Sequence, residues 1–276
     1  MPVLSDAEPF HADGAPGGTN GPGRTAVLLI HGFTGTPSSM TPWAQHLAAE
    51  GLCVSVPRLP GHGRTWQEMN RTRWTDWYAE ASHALDELLS TSDQVFVAGL
   101  SMGGGLALRL AERRPDDVSG LLLVNPSVHD PDKRLLAAPL LKQLLGSVPG
   151  IASDIKKPGV HEEAYDRVPL RALDSLRDLW RTVRADLRDV TCPLVVFRSA
   201  VDHVVPASSS QLVVQQVGST DVTEHILADS FHVAVLDNDA PFIFAESAAF
   251  ISRLTAAHGT ARAATPGTQT GDGDAL

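Results

Sequence analysis

Cysteine is scarce in this chain: 2 in 276 residues. Cys53 and Cys192 each stand at the head of an apolar, strand-like run, where buried thiols are expected, and a disulfide framework is excluded. Positive charge is short as well, with 22 Lys and Arg against 32 Asp and Glu for a formal net charge of −10. Phosphate backbones and anionic membrane surfaces both demand clustered positive charge, which excludes nucleic acid and disfavours an anionic lipid surface. No apolar run approaches the roughly 20 residues that span a bilayer. Residues 1–23 carry neither the basic leader nor the apolar stretch of a secretion signal. Histidine spacings of the H-E-x-x-H kind are missing, so no metal and no cofactor is expected. Internal repeats are also missing. These absences point to a cytoplasmic protein without stable membrane insertion, transient contact with lipid being left open.

What is present is apolar: 43% hydrophobic residues, enough for one large α/β domain with a sizeable core. The organising stretch is 94–109, QVFVAGLSMGGGLALR. Its apolar run 95–98 reads as a buried strand, it passes through Gly99-Leu100-Ser101-Met102-Gly103, and an Ala/Leu-rich helical pattern follows. This is G-x-S-x-G in its strand–turn–helix setting. Side chains at the ends of so tight a turn would collide, which glycine at 99 and 103 avoids. Ser101 then stands at the apex, beside helix N–H groups that lack intrahelical partners. The plain alternative is a glycine-rich turn whose serine only caps the helix. A nucleophile reading therefore needs a base, an acid and a second oxyanion donor elsewhere.

In chain order, 2–4 reads as a short strand and 24–30 (RTAVLLI) as a central strand buried on both faces. That strand ends in His31-Gly32-Phe33-Thr34-Gly35, at the edge where open α/β sheets bind ligands. A helix follows, with Thr36 or Ser38 as cap and Met40, Trp43 and Leu47 facing inward. Strand 52–56, amphipathic helix 74–89 and strand 121–125 come next. From Asn125 to the strand beginning at Leu194 the chain is far longer than a βαβ unit of about 30 residues. The surplus reads as an inserted subdomain whose second half is helical. There Leu170, Leu173, Leu176, Trp180, Val183 and Leu187 share one face, and Arg177, Arg181, Arg184 and Arg188 form a solvated face opposite. Strand 194–198, a helix after Pro206, strand 222–227 and helix 241–256 complete the core. The stretch 259–276 has little to bury and reads as disordered.

An elbow serine needs a histidine to take its proton and a carboxylate to fix that histidine's tautomer. Only loops at the carboxyl ends of later strands can reach it, in the order serine, acid, histidine. Asp202 and His232 occupy such loops, with Asp130 as rival acid. His232 is expected to titrate at about pH 6–7. His203 should point away to the surface, and His62 reads as a hydrogen-bonded structural histidine. The oxyanion hole should combine the backbone N–H groups of Phe33 and Met102, each such donor being worth about 3–4 kcal/mol of barrier.

LLIHGFTGTP, VPRLPGHG, VAGLSMGG, SAVDHVVP and SFHVAVLD together resemble the α/β-hydrolase family, and within it bacterial monoacylglycerol lipases and small bacterial carboxylesterases. The similarity runs from PVLSDAEPF to about Leu254. It implies an α/β-hydrolase fold, a mostly parallel sheet of six or seven strands flanked by helices, with little before Arg24 and an inserted cap. The expected division is 1–23 N-terminal segment, 24–127 and 188–258 core, 128–187 cap, and 259–276 tail. IASDIKKPGVHEEAYDRVP is similar to the monoacylglycerol-lipase cap, in which a glutamate at the place of Glu162 recognises the glycerol head group; Glu163 is its neighbour. The apolar residues of 135–151 either pack on the core or roof an acyl tunnel. On the tunnel reading Leu145 and Ile151, with Gly32 beside the nucleophile, touch substrate. The expected activity is serine ester hydrolysis through an acyl-enzyme, acting on a small-molecule ester of short to medium chain, above all a monoacylglycerol. Perhydrolase or C–C hydrolase chemistry would keep the same triad, and a ligand-binding receptor would keep the pocket.

Overall fold

Among the described residues, seven strands form one sheet in the order β1-β3-β2-β4-β5-β8-β9. They are β1 (Phe10–Ala12), β2 (Thr25–Ile30), β3 (Cys53–Val56), β4 (Gln94–Leu100), β5 (Gly120–Val124), β8 (Leu194–Ser199) and β9 (Val222–Leu227). Two short strands, β6 (Ser147–Pro149) and β7 (Arg167–Pro169), pair antiparallel on their own. The helices are α1 (Thr41–Ala49), α2 (Trp66–Met69), α3 (Trp74–Leu89), α4 (Met102–Arg113), α5 (Leu170–Asp186), α6 (Ala207–Gln216) and α7 (Ala240–Ala263). The structure, a computed structural model, describes residues 7–14, 24–132, 142–151 and 153–263.

The core follows from period-two alternation on strands covered by helices on both faces. Ala26, Leu28, Ile30, Val95 and Val97 face one side, against Trp77 and Leu85 of α3 and Leu106 and Leu110 of α4. Val27, Leu29, Phe96 and Ala98 face the other, against Trp43 and Leu47 of α1 and Ile243 and Ile251 of α7. Leu85 is fully buried, so truncating it to alanine would cost about 2–5 kcal/mol. Strand order reverses between β2, which leads outward to β3, and β4, which leads the other way to β5. That reversal is where open α/β sheets place their ligand crevice. The loop 31–35 and the β4–α4 turn both open onto it.

Several expectations change. The expected strand 2–4 lies outside the described residues. The sheet does begin before Arg24, with β1, and that strand runs antiparallel to β3 through Phe10↔Val56 and Ala12↔Val54. Three residues at a sheet edge are too few for an alternating pattern to register. The last helix extends past residue 256 to Ala263, into the stretch expected to be disordered; 264–276 lie outside the described residues. Neither Thr36 nor Ser38 caps α1. Thr36 precedes a separate 3₁₀ turn (Pro37–Ser39), and Met40 is the N-cap of α1.

The insertion between β5 and β8 is not a separate lobe along its whole length. Leu176, Leu179, Trp180 and Val183 of α5 belong to the same core as α4, and Arg109 of α4 joins Asp186 at 2.7 Å. The arginine face is not uniformly solvated either. Arg184 donates to the Val128 carbonyl at 2.7 Å, and burial lowers its pKa. Residues 133–141, with part of the apolar cap run, lie outside the described residues. Among the described residues no helix is long and apolar enough to cross a membrane.

Candidate active site

Ser101 sits between β4 and α4 with φ +55° and ψ −116°, backbone angles an L-residue adopts only when its surroundings enforce them. A β-carbon on Gly99 would stand 2.4 Å from the Gly103 carbonyl, and one on Gly103 would stand 2.0 Å from the Ile30 oxygen. The collision expected from the sequence is therefore present, and α4 lies hard against β2. The Ser101 N–H donates to the Val124 carbonyl at 3.0 Å, and its own carbonyl accepts from Ser127 at 2.9 Å. Met102 is the first residue of α4, so its N–H has no partner within the helix.

Asp202 follows β8. Its Oδ1 accepts the N–H groups of Val204 (2.8 Å) and Val205 (2.7 Å), and its Oδ2 lies 2.7 Å from Nδ1 of His232. Burial pushes the Asp202 carboxyl up, but His232 and those two amides outweigh it and hold it below the ordinary aspartate range. An ionised carboxylate only accepts, so Nδ1 carries the proton and Nε2 is left as an acceptor. For His232 burial pulls the pKa down; Asp202, then Glu162 and Asp154, more than offset this and hold it above the ordinary 6.5. Asp130 lines the pocket with its carboxylate on the Asp132 amide at 2.8 Å, while Nδ1 of His232 belongs to Asp202.

The loop after β2 closes the other side. A β-carbon on Gly32 would stand 3.6 Å from the Ser101 Cβ, so this backbone lies against the serine. His31 shapes it from beneath: Nδ1 donates to the Gly32 carbonyl at 3.0 Å, and Nε2 accepts from Leu59 N–H at 3.2 Å. Burial pushes His31 down to about 4, so the ring is neutral near neutral pH. His62 packs edge-on to His31 and Trp77 and serves as a structural histidine. Thr34 holds φ +65°, and its carbonyl accepts from Tyr165 of the insertion at 3.2 Å.

Ser101, His232, Gly32 and Phe33 line one pocket of about 360 Å³, together with Glu162, Ile151, Val168, Leu173, Leu176 and Trp180. That size suits a small-molecule site. Burial pushes the Glu162 carboxyl up to about 7, against the opposing pull of His232 and a hydrogen bond from Ser39. Neighbouring residues meet their expectations unevenly. Leu145 lines a separate depression with Trp66 and Asn70 and does not line the pocket of Ser101, which corrects its expected contact with substrate. Ile151 does reach the pocket, though half of it stays in solvent. His203 is exposed, as expected, yet it also lines this pocket, with Nδ1 2.8 Å from Asp154 and its ring edge-on to Phe231. Cys53 is buried, whereas Cys192 is only partly so, its thiol pushed up to about 12 by burial.

Two supports were not foreseen. Asn125, at the end of β5 with φ +44°, donates to the His232 carbonyl (2.8 Å) and Ser199 Oγ (3.0 Å). An asparagine at a strand end is one of the few residues that enters the left-handed region readily, which was its one visible signal. Asp154 contacts both the Asp202 and the His232 loops, and nothing local marks it.

A mostly parallel sheet with a serine elbow, and an aspartate–histidine pair in later loops, define an α/β hydrolase of the serine type. The chain belongs to the Hydrolase_4 family, described as serine aminopeptidase, S33, whose model matches residues 21–239. It is 40% identical to the thermostable monoacylglycerol lipase of Bacillus sp. (strain H-257) over 254 residues, 91% of this chain and 97% of the lipase. It is 25% identical to a carboxylesterase of Bacillus subtilis (strain 168), over 84% of this chain and 94% of that enzyme. A solved structure reported with LipS and LipT, two metagenome-derived lipolytic enzymes, superposes with TM-score 0.86 at 37% identity, covering 91% of this chain and 100% of the other. The chain is a serine hydrolase.

Proposed function

We propose that the chain hydrolyses carboxylic esters through an acyl-enzyme on Ser101, and that medium-chain monoacylglycerols are its substrates. The observation that carries the reading is the 2.7 Å contact of His232 Nδ1 with Asp202, made beside a left-handed serine in the same pocket. Ser101 Oγ attacks the ester carbonyl while Nε2 of His232 takes its proton. The backbone N–H groups of Phe33 and Met102 receive the charge that develops on the carbonyl oxygen. The intermediate collapses, His232 returns the proton to the departing alcohol, and the acyl group stays on Ser101. Water, deprotonated by His232, then releases the carboxylic acid. Asp202 remains ionised throughout.

The insertion covers this centre as a lid. Ile151, Val168, Leu173, Leu176 and Trp180 offer an apolar lining for the acyl chain, and Glu162 accepts a hydrogen bond from a free glycerol hydroxyl. The names of the Bacillus lipase and esterase support this substrate class. The test is a hydrolysis panel of p-nitrophenyl esters, monoacylglycerols, triacylglycerols and a peptide amide, run with Ser101→Ala and a fluorophosphonate probe. The wild type should take one label and cleave medium-chain monoacylglycerols, and Ser101→Ala should lose both properties. Undiminished turnover in Ser101→Ala would overturn the assignment.

A further inference from the structure

We propose that Asp154 is a positioning residue for the catalytic centre: a carboxylate of the insertion that locks the Asp202 loop to the His232 loop. It rests on the triad reading above. Asp154 Oδ2 accepts the backbone N–H of His203 at 3.0 Å and that of His232 at 3.2 Å. One oxygen is thus shared by the residue after the acid and by the base itself. The second oxygen, Oδ1, lies 2.8 Å from Nδ1 of His203, and the Asp154 backbone carbonyl accepts from Val233 at 3.1 Å. Asp154 is 8% exposed, so its carboxylate is almost wholly committed to these partners.

The two loops leave adjacent strands β8 and β9; Asn125 and the Ser199 hydroxyl, which donates to the Phe231 carbonyl at 2.7 Å, tie their bases, and Asp154 ties them beside the acid and the base. The Asp202–His232 contact depends on both being held at one separation. A shift of about 1 Å in such a pair can cost roughly a hundredfold in rate. A carboxylate suits the task because it accepts at both oxygens without needing a proton. Because Asp154 comes from the insertion, it also ties lid placement to the geometry of the triad. The charged groups facing His232 are Asp202, Glu162 and Asp154, and Asp154 adds its field to the other two.

The experiment compares Asp154→Ala, Asp154→Asn and Ser101→Ala on a monoacylglycerol and on a p-nitrophenyl ester, with thermal unfolding of each. Asp154→Ala should lose about ten- to a hundredfold in kcat with KM changed by no more than about twofold. The amide oxygen of Asp154→Asn still accepts both backbone N–H groups, so kcat should largely return. Its acid limb of kcat/KM should nevertheless move to lower pH, because one negative charge near His232 is gone. If Asp154→Ala does not fold, the pH profile of Asp154→Asn decides alone. Wild-type kcat in Asp154→Ala would overturn the proposal, as would an Asp154→Asn enzyme with an unmoved acid limb. Retained turnover in Ser101→Ala would overturn the triad reading instead, so the two failures are distinguishable.

Discussion

Glu162 and His232 line the same pocket, and each alters the other's hold on a proton. The carboxylate supports the imidazolium, and the imidazolium favours the carboxylate. Catalysis needs neutral His232, so kcat/KM should rise with pH through an apparent pKa above the ordinary histidine value. Glu162→Gln removes one of the charges that raise it. Its acid limb should therefore fall at lower pH than in the wild type, while KM for glycerol esters rises. Initial-rate profiles between about pH 5 and 9 check this, and an unmoved limb with unchanged KM would remove Glu162 from the site.

A second prediction concerns acid stability. His31 is buried neutral with its pKa pushed down to about 4 from 6.5, so below 6.5 the unfolded chain binds a proton the folded one refuses. Stability is fully present above pH 6.5 and falls as pH drops from there towards 4. The limiting contribution is about 3 kcal/mol. Urea unfolding across this range should show a steeper loss in the wild type than in His31→Asn, and equal slopes would contradict it.

The strands β2, β4, β5 and β8 were legible because runs buried on both faces are continuous apolar sequence, and α3 because its Trp77, Ala81, Leu85 and Leu88 recur at helical spacing. The three residues of the proposed triad were legible because chemistry restricts them to loops after particular strands. The supports were not. Asp154 meets its partners across sequence separations of 49 and 78 residues, and no local pattern encodes such a meeting. Leu145 and Leu144 failed for the opposite reason. Apolar residues in the insertion look like pocket lining by composition, yet both point outward. The short pieces β1, α2 and β6–β7 carry too few residues for any periodicity.

The third prediction tests the elbow's sterics. A β-carbon at Gly103 would stand 2.0 Å from a backbone oxygen of the central strand β2, which cannot rotate away. Gly103→Ala should therefore push α4 off β2, costing about 1–3 kcal/mol. Because Met102 moves with the helix, activity should fall further than stability. Thermal unfolding and esterase rates on the same preparation check this, and wild-type values for both would contradict the close approach.

The last prediction concerns substrate charge. Asp130, Asp154 and Glu162 line the pocket, with no lysine or arginine lining it among the described residues. A substrate carrying a phosphate in place of a free glycerol hydroxyl would bring like charge towards Glu162. At 4 Å two like charges cost about 4 kcal/mol at the effective dielectric typical of such sites, and less at longer range. A 1-acylglycerol should thus be cleaved at least about tenfold more efficiently than the 1-acylglycerol 3-phosphate of the same chain length. Glu162 ionises at about 7, so the gap should widen as pH rises from 6 to 8 and narrow in Glu162→Gln. The comparison of kcat/KM at both pH values decides it. A gap that ignores pH, or one that survives unchanged in Glu162→Gln, would place the head group away from this carboxylate.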